Sequence, residues 1–273
     1  MTHRSKAGRW RVLACAIVAA AAFGAQWEGY PKLTREELIA TIKETEQGAR
    51  PAVDGKNLSE LDLSSVDFRG ANLSASVLNG AKLVGATLDR CNLTVSFLEG
   101  ANLSGASLRE AVLFSTQLAG ANLTGADLTG ARLIGDLRKA DLTKAKLIRM
   151  NAAADMKNQS MGLMRANLVN ATAIEADFSD SDFSRTDFSF SDLSRAKLLR
   201  TTLYRADFSG VVLAGADLTG ADLRNAVLID TDLTDANLTN ADLTGATLRS
   251  VRGLDKATTT GTRGLTPETM SNQ

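Results

Sequence analysis

The chain has 273 residues, of which 44% are hydrophobic and only 5% are aromatic. Its 31 basic and 31 acidic side chains cancel, which excludes the strong positive charge typical of nucleic-acid-binding proteins and the strong negative charge of a DNA mimic. The apolar residues suffice for a core, and that core must consist mainly of Leu and Ala because aromatic residues are scarce.

Residues 1–25 differ from the rest of the chain. A basic stretch precedes an apolar run over residues 12–25, which is short for a membrane span and typical of a signal peptide. We expect a periplasmic or secreted protein. The alternative is an uncleaved segment that anchors the protein in the inner membrane by residues 12–25, the one case in which a membrane is a partner. The basic residues are Arg4, Lys6, Arg9 and Arg11.

Cleavage of this segment would remove His3, the only histidine, and Cys15, one of two cysteines. The mature chain would then hold a single thiol, Cys91, which the sequence pattern places in a buried position. Histidine-based triads, histidine metal sites and Cys–His pairs need residues that this chain would lack. We therefore expect no enzyme activity, no catalytic residue, no metal and no cofactor.

Residues 26–56 are predicted to form a linker and an N-terminal capping helix. Thr34 and Glu37 have the spacing of a capping box, and Leu33 and Leu38 have that of a hydrophobic staple. Gly48 can end the helix.

Residues 57–250 repeat with a period of five. A Leu or Phe recurs from Leu58 to Leu133 and again from Leu168 to Leu248, where only Ala173 departs. A small residue stands two positions earlier, and Asp or Asn one position earlier. Neither the 3.6-residue helical period nor the two-residue strand period fits. Four five-residue sides would instead close a square coil of 20 residues, with coils stacked at about 4.8 Å.

These A-[DN]-L-x-x units resemble those of the pentapeptide-repeat family over about residues 57–250. The resemblance implies an all-β fold, a right-handed quadrilateral β-helix solenoid. Some members of this family inhibit DNA gyrase by mimicking DNA through an acidic surface. Here rows of Arg interrupt the rows of Asp, so DNA mimicry is retained only as the alternative function.

The repeat is irregular over about residues 134–166. Leu137 follows Leu133 by only four residues, which predicts a bulge or deletion near residues 134–136. A compensating protrusion is expected within about residues 148–165. Such a segment is a packed or solvated loop, a flexible partner surface or a thioether metal site. Its methionines are Met150, Met156, Met161 and Met164.

Residues 20 apart should lie above one another. Arg165, Arg185 and Arg205 form one such row, either a solvated ladder of ion pairs or a strip that binds anions. Outward apolar residues stack as well and predict a contiguous patch, for a partner, for a homodimer or as an ordinary surface. They are Val77, Val95, Phe97, Val112, Phe114 and Ile134.

The C-terminal residues 251–273 are predicted to form a cap and tail, with Thr266 and Pro267 at the start of a short turn. The leading functional hypothesis is a non-catalytic exported scaffold. It would bind an unknown protein or an envelope component, and no nucleic acid, through its solenoid faces or the Met-rich loop.

Overall fold

The computed structural model describes residue 27 and residues 29–153 and 165–266. One helix, α1, spans Arg35–Glu44. Its capping box forms as predicted: the Glu37 N–H donates to the Thr34 hydroxyl at 3.2 Å, and the Thr34 N–H donates to the Glu37 carboxylate at 2.7 Å. The helix ends at Glu44 with Thr45 as its C-cap, so Gly48 lies beyond the end instead of forming it.

Helix α1 covers one end of the core. Leu38 and Ile42 are buried, and Leu33 packs partly buried against the same cluster. The Arg69 guanidinium donates to the Ile42 carbonyl at 2.9 Å and so ties the end of the helix to the first coil. The helix therefore shields apolar side chains that an open solenoid end would expose.

In the regular parts of the solenoid, successive coils pair in parallel at intervals of 20 residues, with four bridges in each coil. The amide of Leu103, for example, donates to the carbonyl of Asn122 in the next coil at 2.7 Å. Most sides are too short to count as strands and form single bridges. The bridges of one coil include Asn72–Asn92, Val77–Phe97, Lys82–Asn102 and Thr87–Ser107.

Four segments are long enough to form strands. Strand β1 (Val112–Gln117) pairs in parallel with β2 (Arg132–Asp136), and β3 (Val227–Ile229) pairs in parallel with β4 (Thr247–Arg249). The helical content is low and the bridges are parallel throughout, as the five-residue period predicts.

The unit at residues 101–105 shows the structural role of the residue type at each position of the repeat. Ala101 and Leu103 point inward and are fully buried. The Asn102 carboxamide accepts the backbone N–H of Ser104 at 3.1 Å and fixes the turn. Gly105 has φ +64°, a left-handed conformation that the corner requires and that costs glycine nothing.

The core contains leucines, alanines and a few phenylalanines. Phe188 and Phe208 stack with ring centroids 5.0 Å apart and planes 9° from parallel, as the 20-residue spacing predicts. Cys91 takes a small inward position and is fully buried. Burial raises the pKa of its thiol to about 12.

The predicted deletion lies between β1 and β2. Phe114 pairs with Ile134, 20 residues on, but Thr116 pairs with Gly135, 19 residues on. The missing residue is the corner that would lie above Ser115. A Cβ at Gly135 would overlap the Thr116 carbonyl oxygen, so this tight passage requires glycine.

The extra residues lie after this passage. Asn151 and Asn167 hold successive bridge positions although they are sixteen residues apart instead of five. Regular bridging continues through Asn151, so the protrusion is narrower than the predicted 148–165.

The stack also extends beyond residues 57–250. Lys32 bridges Asn57 at one end, and Asp242 bridges Arg263 at the other. The turn predicted from Pro267 lies outside the described residues. Within those residues, no helix has the length and apolar character to cross a membrane.

Candidate interaction edge

Two neighbouring sides of the coil meet at one long edge. We name the sides after an outward residue of each, the Val112 side and the Phe97 side, and the corner between them the Val95 edge. The Val112 side runs through Asn72, Asn92, Val112, Arg132, Asn151, Asp182 and Thr202. The Phe97 side runs through Asn57, Val77, Phe97, Gln117, Asp136, Asn167, Asp187 and Asp207.

The structure brings the separately predicted features together on this edge. Ala75, Val95 and Ser115 occupy the corner before the irregular passage, and Arg165, Arg185 and Arg205 occupy it afterwards. The segment between Ala153 and Arg165 also joins the solenoid here. Met156, Met161 and Met164 lie outside the described residues, so their predicted role stays a prediction.

An apolar section lies before the irregular passage. Val112 is 38% exposed, while Val95, Phe97 and Phe114 are partly buried. The Val95 N–H donates to the Phe114 carbonyl at 2.8 Å, so these residues are direct neighbours in successive coils. Val95 and Phe114 of the predicted patch are therefore adjacent at the corner.

The N-terminal segment covers one flank of this section. The Trp27 ring packs on Phe97 with centroids 4.5 Å apart, and Tyr30 meets Trp27 edge-on at 5.4 Å. The Asn57 N–H donates to the Pro31 carbonyl at 2.9 Å. The segment thus lies along the Phe97 side.

This packing corrects the prediction that Val77 is exposed. Val77 lies between Asn57 and Phe97 in the ladder and is fully buried. The N-terminal segment contacts the ladder on both sides of Val77, at Asn57 through Pro31 and Leu33 and at Phe97 through Trp27. Val77 therefore supports the N-terminal segment and is not available to a partner.

Ile134 and Met150 are corrected as well. Ile134 is 1% exposed, because β2 passes close to β1 where the corner residue is missing. Met150 is 2% exposed and lies two residues before Ala152. It takes the inward position that alanine usually holds in this repeat. Its N–H donates to the Ser181 hydroxyl at 2.8 Å. Met150 is thus a core residue of the coil.

A cleft of about 230 Å³ opens on the edge at the irregular passage. It joins the apolar row to the arginine row, because Ile134 and Arg165 both line it. The Arg138 guanidinium binds Asp136 through both carboxylate oxygens at 2.6–3.0 Å, which raises the pKa of Arg138. The other lining residues are Ser115, Gln117, Gly135 and Asn167.

Arg165 and Arg205 of the arginine row each contact a neighbouring side chain. Arg165 Nη2 lies 2.9 Å from Asp187 Oδ2, and the Arg205 guanidinium lies 5.2 Å from the centre of the Tyr204 ring. Arg224 also contacts Tyr204, at 6.0 Å, and binds Asp222. The row thus holds one ion pair and one cation–π contact, and both the ion-pair ladder and the anion-binding strip stay predictions.

The aspartates that precede each buried Leu or Phe have a structural role that the sequence reasoning missed. The Asp187 and Asp207 carboxylates each accept a backbone N–H and a hydroxyl from the Ser two residues later, with hydroxyl distances of 2.6 Å. The sequence signal for this role is the Ser or Thr that follows the buried Leu or Phe in many of these units. Among the described residues, no group of His, Cys, Asp and Glu could hold a metal ion.

The family described as pentapeptide repeats matches the chain in eight copies, over residues 57–94, 98–130, 163–198 and 206–245. These segments make up more than half of the chain. The chain belongs to the pentapeptide repeat family. Pentapeptide repeat proteins are generally non-enzymatic scaffolds. Comparison with curated protein sequences gives no match.

Solved pentapeptide repeat proteins resemble this one. HetL, involved in heterocyst differentiation regulation in the cyanobacterium Nostoc sp. strain PCC 7120, is 28% identical. That match covers 84% of this chain and 96% of HetL, with a TM-score of 0.50. QnrB1, a plasmid-mediated fluoroquinolone resistance protein, is 17% identical in its full-length structure, covering 81% of this chain and 93% of that chain, with a TM-score of 0.36.

A third solved relative is a pentapeptide repeat protein of the Arabidopsis thaliana thylakoid lumen. It is 28% identical over 50% of this chain and 71% of that chain, with a TM-score of 0.18.

Proposed function

We propose that this pentapeptide repeat protein is a non-catalytic, exported interaction scaffold that binds a protein or an envelope component along the Val95 edge. The family fold implies a right-handed, four-sided β-helix as its frame. The observation that carries the proposal is the convergence on one edge of the exposed apolar residues, the cleft and the insertion after Ala153. Loops and irregularities on repeat scaffolds commonly mark a binding face.

The geometry of the edge suits the binding of a partner better than it suits catalysis. Its arginines and aspartates contact one another, and its cleft is lined by paired charges and neutral polar groups. Apolar side chains around Val112 supply the surface that a partner can cover.

Photocrosslinking in intact cells tests the proposed edge. Benzoylphenylalanine is placed at Phe114, or at Val84 on the side that carries Lys82, opposite the Val112 side. Val84 is a matched control because it directly follows a buried Leu, as Phe114 does, and is 39% exposed. We expect crosslinked products from position 114 only, and equal products from both positions would overturn the proposed edge.

The contribution of the insertion is tested by deleting residues 154–164. This deletion leaves Asn151 and Asn167 five residues apart, the regular spacing of the coil. Capture of the crosslinked partner should fall if the insertion takes part, and unchanged capture would confine binding to the solenoid surface. Amino-terminal sequencing of the protein from cell fractions tests export.

DNA mimicry is the alternative, and a supercoiling assay with DNA gyrase tests it. Acidic side chains on the solenoid pair with arginines, as in Asp180–Arg200 and Glu175–Arg195. We therefore expect no inhibition of supercoiling. Inhibition together with a full-length cytoplasmic product would replace the proposed function with gyrase binding.

A further inference from the structure

The coils over residues 72–117 carry an uncharged window around the Val95 edge. Every outward position of this window is neutral, in a chain of which 23% is charged. The positions are Asn72, Ser74, Ala75, Asn92, Thr94, Val95, Phe97, Val112, Phe114, Ser115 and Gln117. Glu99 borders the window beyond Phe97, and the two other sides of the same coils carry Lys82, Asp89, Arg90, Arg109 and Glu110.

Aromatic rings are concentrated in the same window. Phe97 and Phe114 belong to the coil, and Trp27 and Tyr30 are added by the N-terminal segment. Tryptophan and tyrosine prefer the boundary between water and the hydrocarbon of a bilayer, since one end of each ring is apolar and the other forms hydrogen bonds. The Asn, Ser and Thr side chains around these rings suit the headgroup region, because they form hydrogen bonds there and carry no charge.

The path of the chain points to the same partner. The described chain begins at Trp27, which lies on Phe97 within the window. The apolar run over residues 12–25 therefore joins the solenoid at this window and at no other face. Any membrane that holds this run lies within a few residues of Phe97.

We propose that the uncharged window rests on the surface of a phospholipid bilayer, in the interfacial layer. This inference rests on the proposed function, because it names the envelope component that the Val95 edge contacts. The attraction is apolar. Further along the edge, Arg138 and Arg165 form ion pairs with Asp136 and Asp187. Contact should therefore depend weakly on salt and on the content of anionic lipid.

The test uses the full chain with Cys15→Ser, reconstituted in phosphatidylcholine vesicles. Val112→Cys or Val84→Cys is labelled with an environment-sensitive nitrobenzoxadiazole dye. Cys91 is fully buried and does not compete for the label. The two valines are 38% and 39% exposed and lie on opposite sides of the coil, so they differ in position and not in accessibility.

We expect the emission of the dye at position 112 to shift to the blue on vesicles and to be quenched by lipids with nitroxide-labelled chains. The dye at position 84 should show neither change.

Three outcomes would overturn the bilayer contact. The full chain could fail to float with vesicles, the two positions could respond alike, or position 112 could shift with protein concentration in the absence of lipid, which indicates a second copy of the chain. A protein crosslink at Phe114 with no lipid response would support the scaffold function while rejecting the bilayer as its partner.

Discussion

Trp27 packs on Phe97 with ring centroids 4.5 Å apart, and this contact holds the N-terminal segment along the third coil. The segment continues to Asn57, whose N–H donates to Pro31. Together these contacts bury Val77 and define one flank of the Val95 edge. The non-repeating segment thus decides which part of the apolar row is accessible.

Trp27→Ala should release this segment. An aromatic pair contributes about 0.5–1.5 kcal/mol beyond the area that it buries. Hydrogen exchange should therefore accelerate at the amides of Leu33 and Asn57, which bond across the segment, with little change at Leu123 in the middle of the stack. Unchanged exchange at Leu33 and Asn57 would show that the ring contact does not hold the segment.

Phe208→Ala should destabilise the second half of the solenoid strongly. The ring is fully buried and stacks on Phe188, so its removal leaves a cavity and costs about 3–5 kcal/mol. Phe190→Ala is the control, because its ring is 65% exposed. Urea unfolding should separate the two variants clearly, and similar midpoints for both would contradict the packing described.

Gly135→Ala should cost more stability than Gly120→Ala. At Gly120 a Cβ meets nothing within 4 Å, and the cost is the left-handed backbone, about 1 kcal/mol. At Gly135 the Cβ would overlap the Thr116 carbonyl and force β1 and β2 apart, which costs about 2–3 kcal/mol. Thermal unfolding of both variants measures the difference. Equal losses would mean that the passage can widen without cost.

Cys91 should make stability depend on pH in the alkaline range. Its thiol has a pKa of about 12 in the folded protein against an ordinary 9.0, so the unfolded chain releases this proton first. The stabilisation from the neutral thiol is complete below pH 9.0 and is lost as pH rises towards 12, at about 1.4 kcal/mol per pH unit.

Cys91→Ala supplies the control, because alanine is the usual residue at this inward position. Urea midpoints are compared for both proteins at neutral pH and in the alkaline range. The wild type should lose more stability than the variant as pH rises. Parallel curves would show that the thiolate is tolerated in the core.

The five-residue period predicted the coil because each position of a unit has one physical task. Leu103 and Ala101 fill a narrow interior, Asn102 fixes the turn, and Gly105 forms the corner. The capping box at Thr34 follows a local hydrogen-bonding rule and was predicted for the same reason. The deletion near Gly135 could be located because it changes the spacing of the leucines.

The candidate site was predicted less completely. Residue spacing placed Val112, Phe114 and Arg205 in rows, but it did not join the rows into one edge or reveal the cleft between Ile134 and Arg165. The loss of the Leu register after Leu147 predicts Met150 in the protrusion, whereas the coil continues through Met150.

The sequence alone determined the 20-residue coil, its core and its interruption, since these depend on which side chains recur at fixed intervals. Only the tertiary structure decided that residues 27–33 lie along the Phe97 side. The physical reason is that this segment has no period: its position depends on long-range contacts of Trp27 and Pro31, and no spacing within the chain encodes them.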